Sequence, residues 1–206
     1  ADLKGKKVVT RTGPIISLSS LNIAYLQSGG LSVKDITAIR SGGVVDGITK
    51  VVEGRADAAA LAPGMPAVRK AHATVPGGIR FIPLGAGGSD AFLAREVPGA
   101  KSKTLKPNKR MPFLKTTTRV AAFDAYLNAG KQVSNDDAYA IIKVLHTQWK
   151  NMQKSVGPMR PLHMDKIAPA TNPHPYHDGV IKYLKEKGLW SAANEKQQKA
   201  VLAVIK

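Results

Sequence analysis

Between Val44 and Val52 the apolar residues Val44, Val45, Ile48, Val51 and Val52 recur at helical spacing, with Lys50 and Glu53 on the other side. That is the pattern of an amphipathic helix. Just before it, Thr37–Arg40 is short and mostly apolar, as a buried strand is. Ser41-Gly42-Gly43 lets the backbone turn sharply between the two and leaves free amides where the helix begins. Gly54 suits the left-handed residue that follows a helix. Ala56–Ala62 is again short and apolar, although alanine prefers helix to strand. Its assignment as a second strand, parallel to the first, rests on its length, the preceding Gly54-Arg55 and the following Pro63-Gly64. The whole is a strand–helix–strand unit with a glycine turn at a strand's carboxyl end, where open α/β sheets place ligands.

The same patterning organises the rest of the chain. Leu3–Lys7 is a basic turn feeding a short strand through Val8, Val9 and Thr10. Arg11–Ser20 leads into a helix over about Ser19–Gln27, with Leu21, Ala24 and Tyr25 at helical spacing and Gly29-Gly30 as its stop. A helix start flanked by hydroxyls suits a carboxylate or phosphate, through its free N–H groups and its dipole; Ser17, Ser19 and Ser20 serve equally as plain caps. Ser32-Val33-Lys34-Asp35 is a capping-box turn with aspartate in place of the usual Glu or Gln. Ala67–Ala73 is helical, with His72 exposed on it. Pro76-Gly77-Gly78 turns the chain, and Ile79–Leu84 is the next strand. Asp90–Glu96 is a short helix, and Thr116–Leu127 has the alternation of a β-segment. Ser134 with Asp136 and Asp137 starts a helix to about Lys154, whose apolar face is Ala138, Ile141, Ile142, Leu145 and Trp149, with His146 at its edge. A last helix covers about Ala193–Ile205.

Composition narrows the function classes. The 206 residues, 43% of them hydrophobic, suffice for one large domain or two small ones. No apolar run approaches membrane-spanning length. With no cysteine, disulfides and thiolate metal sites are excluded. Ala1–Lys7 has charges but no following apolar core, so it is no signal peptide. The formal charge of +17 fits either non-specific attraction to nucleic acid or attraction of anionic solutes. The one basic cluster, Lys101, Lys103, Lys106, Lys109 and Arg110, has no aromatic residue among its charges and is expected as a solvated loop. His163, His174, His177 and Asp178 suggest a metal site, but His-x-x-His is too short for one helical face and prolines interrupt the run. No nucleophile elbow, phosphate-binding loop or carboxylate pair is present. Asp46 is the sole acid at the start of the central helix.

Two motifs carry a family resemblance. Gly54-Arg55-Ala56-Asp57-Ala58-Ala59 followed by Gly64-Met65-Pro66 resembles the central unit of the solute-binding receptors of TRAP transporters, above all their TAXI branch. Pro175, His177, Gly179, Tyr183, Glu186 and Gly188 are similar, in register, to a pattern near the end of those receptors, with Val180 where they have alanine. Asp2-Leu3-Lys4-Gly5-Lys6 resembles the start of the second lobe in many bilobal receptors. The resemblance implies an α/β, periplasmic-binding-protein-like (type II) bilobal fold, with mixed or parallel sheets flanked by helices. It implies that residues 1–115 are the second lobe. Residues 116–206 are then the hinge crossover and the C-terminal helical part of a first lobe whose N-terminal part is absent.

By the same resemblance the protein is periplasmic and binds a small organic anion such as glutamate or a dicarboxylate. It delivers that anion to the membrane subunits of a TRAP transporter, uses no cofactor, and has no nucleic-acid partner. Ligand contacts are expected at Arg11, Thr12, Gly13 and Ser17, at Ser41, Gly42 and Gly43, and at Ala62, Pro63 and Gly64. Arg11 or Arg40 adds a charge-assisted pair, and Phe123 and Tyr126 line the cleft. Pro14-Ile15-Ile16 departs from the family, whose turn there is richer in Gly, Ser and Thr. The competing classes are an enzyme on the same bilobal fold acting on a small anion, with Asp46 as its acid or base, and a basic nucleic-acid-binding protein.

Overall fold

A computed structural model describes residues 2–160 and 162–205, in two compact units, Ala1–Phe123 and Asp124–Lys206. The first unit is mixed α/β. Its strands β1 (Lys7–Thr12) and β2 (Thr37–Ser41) are parallel, paired from Lys7↔Thr37 to Thr12↔Ser41 with an irregularity between Val9 and Arg11. Parallel strands need a crossover, and α1 (Ile16–Ser28) supplies it. Leu21 and Ala24 on α1 are buried in a cluster with Leu84, Leu93, Val97 and Ala100, against which Tyr25 packs. The chain then turns through Gly29 and Gly30, the latter at φ 75°. The Ser32 hydroxyl and the Asp35 carboxylate form the expected capping box, on a single 3-10 turn.

After β2 comes α2 (Val44–Val52), whose Ile48 is buried with Val68, Ala71, Phe113 and Leu114 in a second cluster. The apolar stripe is narrower than its sequence suggests, because Val45 is 58% exposed. β2 is likewise not buried: Thr37, Ala38 and Arg40 are exposed, since β2 has only β1 beside it. Ala56–Ala62 does not become a strand. It makes one parallel bridge, Val8↔Ala58, so it lies beside β1 rather than β2. The Val9 N–H donates to the Ala58 carbonyl at 2.9 Å. Beyond Ala58 the pairing stops, as poor β-propensity allows.

Helix α3 (Pro66–Thr74) follows. Its His72 is half-buried rather than exposed: the ring lies edge-on to Phe113 at 5.9 Å and Nδ1 accepts the Ile79 N–H at 3.1 Å. Ile79–Leu84 is no strand either. Pro83 has no N–H to give a ladder, and the segment is tied instead through the Leu84 N–H to the Arg119 carbonyl at 2.7 Å. After α4 (Asp90–Glu96), β3 (Ala100–Leu105) and β4 (Thr118–Phe123) pair antiparallel, from Ala100↔Phe123 to Leu105↔Thr118. Lys101 and Lys103, expected in a loop, therefore stand on a strand; a partner distant in sequence gave them their ladder.

The second unit is helical, with no strand among its described residues. Its long helices are α5 (Asn135–Ser155), α6 (Asp178–Glu186) and α7 (Ala192–Val204). Ala138 and Ile142 of α5 are buried, whereas Ile141 is 45% exposed. The motif residues of α6 are structural. The His177 Nδ1 accepts the Gly179 N–H at 3.3 Å and its other nitrogen donates to the Val133 carbonyl at 3.0 Å. A side chain on Gly179 would collide with the Asn135 carbonyl. Tyr183, only 1% exposed, hydrogen-bonds the His146 Nδ1 at 2.8 Å, and the Tyr139 hydroxyl donates to Glu186 at 2.6 Å.

Candidate ligand-binding site

Because β1 and β2 are parallel and in register, their carboxyl ends lie side by side, and each runs through a glycine turn into a helix. Thr12, 1% exposed, anchors the first turn. Its N–H donates to the Ser19 hydroxyl at 3.1 Å, and its own hydroxyl accepts from the Asn22 amide at 3.3 Å. Gly13 follows at φ 51°, with its N–H on the Ser41 carbonyl at 2.7 Å. A Cβ there would collide with the Gly42 carbonyl. Close backbone approach and positive φ together make this position glycine. The Ser41 hydroxyl completes the join, donating to the Arg11 carbonyl at 3.3 Å. Thr12 and Gly13 are thus brought against Ser41 and Gly42, with Gly43 next in the chain.

Neither helix that starts here has a side-chain cap: the residues before α1 and α2 are Ile15 and Gly43. The first amides of a helix have no partner within it. At α2 the Gly42 N–H is taken by the Asp46 carboxylate at 2.8 Å. At α1 the Ser19 hydroxyl donates to the Ile15 carbonyl at 3.0 Å and so braces the turn instead of capping it. Uncapped first amides and the helix dipoles at the two turns favour an anion at this strand end.

The other expected contact residues are placed as follows. Ser17 is exposed in the first turn of α1. Arg11 and Arg40 are register partners, both exposed. Ala62–Gly64 runs on from the bridge at Ala58, so it leaves the sheet in the same direction as β1. There the Ala62 carbonyl accepts the Met65 N–H at 3.1 Å, ahead of α3, which also lacks a side-chain cap and begins with Pro66. Phe123 ends β4, in the other sheet, 46% exposed. Tyr126 belongs to the second unit, where it lies edge-on to His174 at 6.4 Å. Sequence reasoning missed Asn22, which also bonds the Thr10 carbonyl at 3.4 Å. Its place in the second turn of a helix that follows a strand was the available signal.

Asp46 is poorly suited to acid–base work. Its bonds to Lys50, at 2.7 Å, and to the Gly42 amide hold its carboxyl below the usual aspartate range. Among the described residues no cluster of three His, Asp or Glu side chains is arranged to hold a metal ion. No described helix is long and apolar enough to cross a membrane.

Residues 1–188 match the sequence model of the NMT1-like family. The chain belongs to that family, whose fold is periplasmic-binding-protein-like and whose members, TRAP-type receptors among them, are solute-binding proteins rather than enzymes. The mixed α/β architecture of the first unit agrees with that fold. The class carries a general role, extracytoplasmic solute binding in transport. No curated protein matches the chain significantly.

Proposed function

We propose that this protein is a TAXI-type solute-binding component of a TRAP transporter, working in the periplasm and binding a small organic anion such as glutamate or a dicarboxylate. The observation that carries this reading is the paired, uncapped starts of α1 and α2 at the joined ends of β1 and β2. A carboxylate there accepts from the first amides of the two helices, neither of which has a side-chain cap, and competes with Asp46 for the Gly42 N–H. Thr12, Gly13 and Ser17 contact it from one turn, Ser41, Gly42 and Gly43 from the other, and Ala62–Gly64 from the third segment. Arg11 and Arg40 add charge, and Phe123 closes on the ligand. In this reading residues 1–115 act as one lobe and residues 116–206 as the hinge crossover and part of the other. Ligand shifts the hinge toward the closed form, which the membrane subunits then engage.

A thermal-shift screen of small organic acids tests it. A ligand held only by the folded state raises the unfolding midpoint by mass action. At least one carboxylate is expected to do so for the natural chain and to fail with Gly43→Asp, whose own carboxylate fills the start of α2. If no acid shifts the midpoint and duplex DNA binds in a salt-dependent way instead, the proposal is wrong.

A further inference from the structure

One long stretch of the first unit has many cations and no acid. From Val97 to Phe123 there are seven Lys and Arg and no Asp or Glu. The structure divides this stretch by role. Its apolar residues turn inward: Phe113 and Leu114 are 1% and 3% exposed in the second core cluster, and Leu105 and Met111 pack against the same cluster. Arg119 is used internally, its guanidinium donating to the Gly88 and Gly85 carbonyls at 2.8 and 3.0 Å. The cations left on the outside are Lys103, Lys106, Lys109, Arg110 and Lys115, all exposed. The loop that bears most of them is braced. The Asn108 side-chain Oδ1 accepts the Arg110 N–H at 3.0 Å, and its Nδ2 donates to the Lys106 carbonyl at 3.4 Å. Lys103 stands on a strand paired along its whole length with β4. These are five exposed cations between Lys103 and Lys115, on a backbone anchored to the core.

We propose that this segment, Lys103 with Lys106, Lys109, Arg110 and Lys115, is a docking surface for an anionic phospholipid bilayer. The charge complements a sheet of lipid phosphates, to which each nearby Lys or Arg adds attraction. Nucleic acid suits it less well. The aromatic residue among its cations, Phe113, is 1% exposed in the core, so no base can stack on it, and the one amide among them, on Asn108, is engaged within the loop. Only the choice of a membrane near the protein rests on the receptor reading; the basic segment itself does not. Docking would keep the receptor at the bilayer that holds its partner subunits and raise its local concentration there.

Co-sedimentation with phosphatidylcholine vesicles, with and without phosphatidylglycerol, tests the proposal. The natural chain should bind only the phosphatidylglycerol vesicles, and less as salt rises. A variant carrying Lys103→Gln, Lys106→Gln, Lys109→Gln and Arg110→Gln should lose at least about tenfold in vesicle affinity. A control with Lys143→Gln, Lys154→Gln, Lys196→Gln and Lys199→Gln, all exposed positions of the second unit, removes the same net charge and should lose far less. Equal losses would make the binding a property of net charge and overturn the proposal. So would absence of vesicle binding by the natural chain, or tighter binding of the segment to duplex DNA at the same salt. Circular dichroism of both variants checks that they fold. The organic-acid screen is read separately: vesicle binding without any acid-induced shift sinks the receptor proposal and leaves this one standing.

Discussion

The helix starts of the two units are built in opposite ways. In the second unit α5, α6 and α7 each begin on a side-chain cap, from Ser134, His177 and Ser191 respectively. At α7 the Asn194 side chain returns the bond to Ser191, closing a capping box. In the first unit α1, α2 and α3 begin on Ile15, Gly43 and Met65, with no side-chain cap, and α4 alone has one, from Ser89. A cap contributes roughly 1 kcal/mol, so leaving it out where a glycine turn stands costs stability. The difference teaches where the chain satisfies itself and where it leaves donors for something else. Of the helices with capped starts, α5 and α6 pack on one another; two of the uncapped ones stand at the joined ends of β1 and β2.

The largest way to break this contrast is through close backbone approach, which both units use. Gly13→Ala must place a Cβ against the Gly42 carbonyl at a positive φ, and Gly179→Ala must place one against the Asn135 carbonyl. Each is expected to destabilise its unit by about 3 kcal/mol, read as a lowered urea midpoint. Gly13→Ala should also abolish any organic-acid shift, whereas Gly179→Ala should leave the first unit's ligand affinity within about twofold. Loss of binding in both would mean that the site depends on the second unit's packing.

Caps come next in size. Ser134→Ala removes the acceptor for the Asp137 N–H and should cost about 1 kcal/mol in chemical denaturation. The converse substitution sharpens the comparison. Gly43→Asp meets open space and an extended backbone, so it should stabilise α2 by a few tenths of a kcal/mol while removing carboxylate binding. A Gly43→Asp protein that still binds its acid at full strength would show that the start of α2 is not the contact.

The smallest expected effect is in pH dependence. The Asp46 carboxyl is lowered by its bonds to Lys50 and the Gly42 amide. A lowered folded-state pKa means that its stabilisation is present above the unfolded aspartate value of 3.8 and is lost as pH falls through the folded one. Asp46→Asn should therefore lower the thermal midpoint slightly near neutrality, where that stabilisation is present, and flatten its decline below that value. Asp35, lowered by its bonds to Ser32, supplies a comparison at a capped turn: Asp35→Asn should flatten the same window without touching ligand binding.

Much of this was legible beforehand because it is local. The spacing of Val44, Ile48 and Val52, the caps at Ser32 and Ser134, and the glycine stops at Gly29-Gly30, Gly54 and Gly188 act within one or two turns of chain. The family motifs Gly54–Ala59 and Pro175–Gly188 were read the same way, and the family match covers both. What was misread depended on distant partners. Ile79–Leu84 has a strand's composition but finds only the Arg119 carbonyl. Lys101–Leu105 has a loop's composition and finds β4. Ala56–Ala62 joins the sheet at one residue. His72 is half-buried because Phe113, far along the chain, comes to meet it.

By itself the sequence determined the helices, their stops and the class of protein, since periodicity, capping and motif spacing are written in neighbouring residues. Only the tertiary structure decided which strands exist and which turns meet. A ladder needs a partner at the right register, and the bringing of Thr12 and Gly13 against Ser41 and Gly42 is a contact between segments some thirty residues apart.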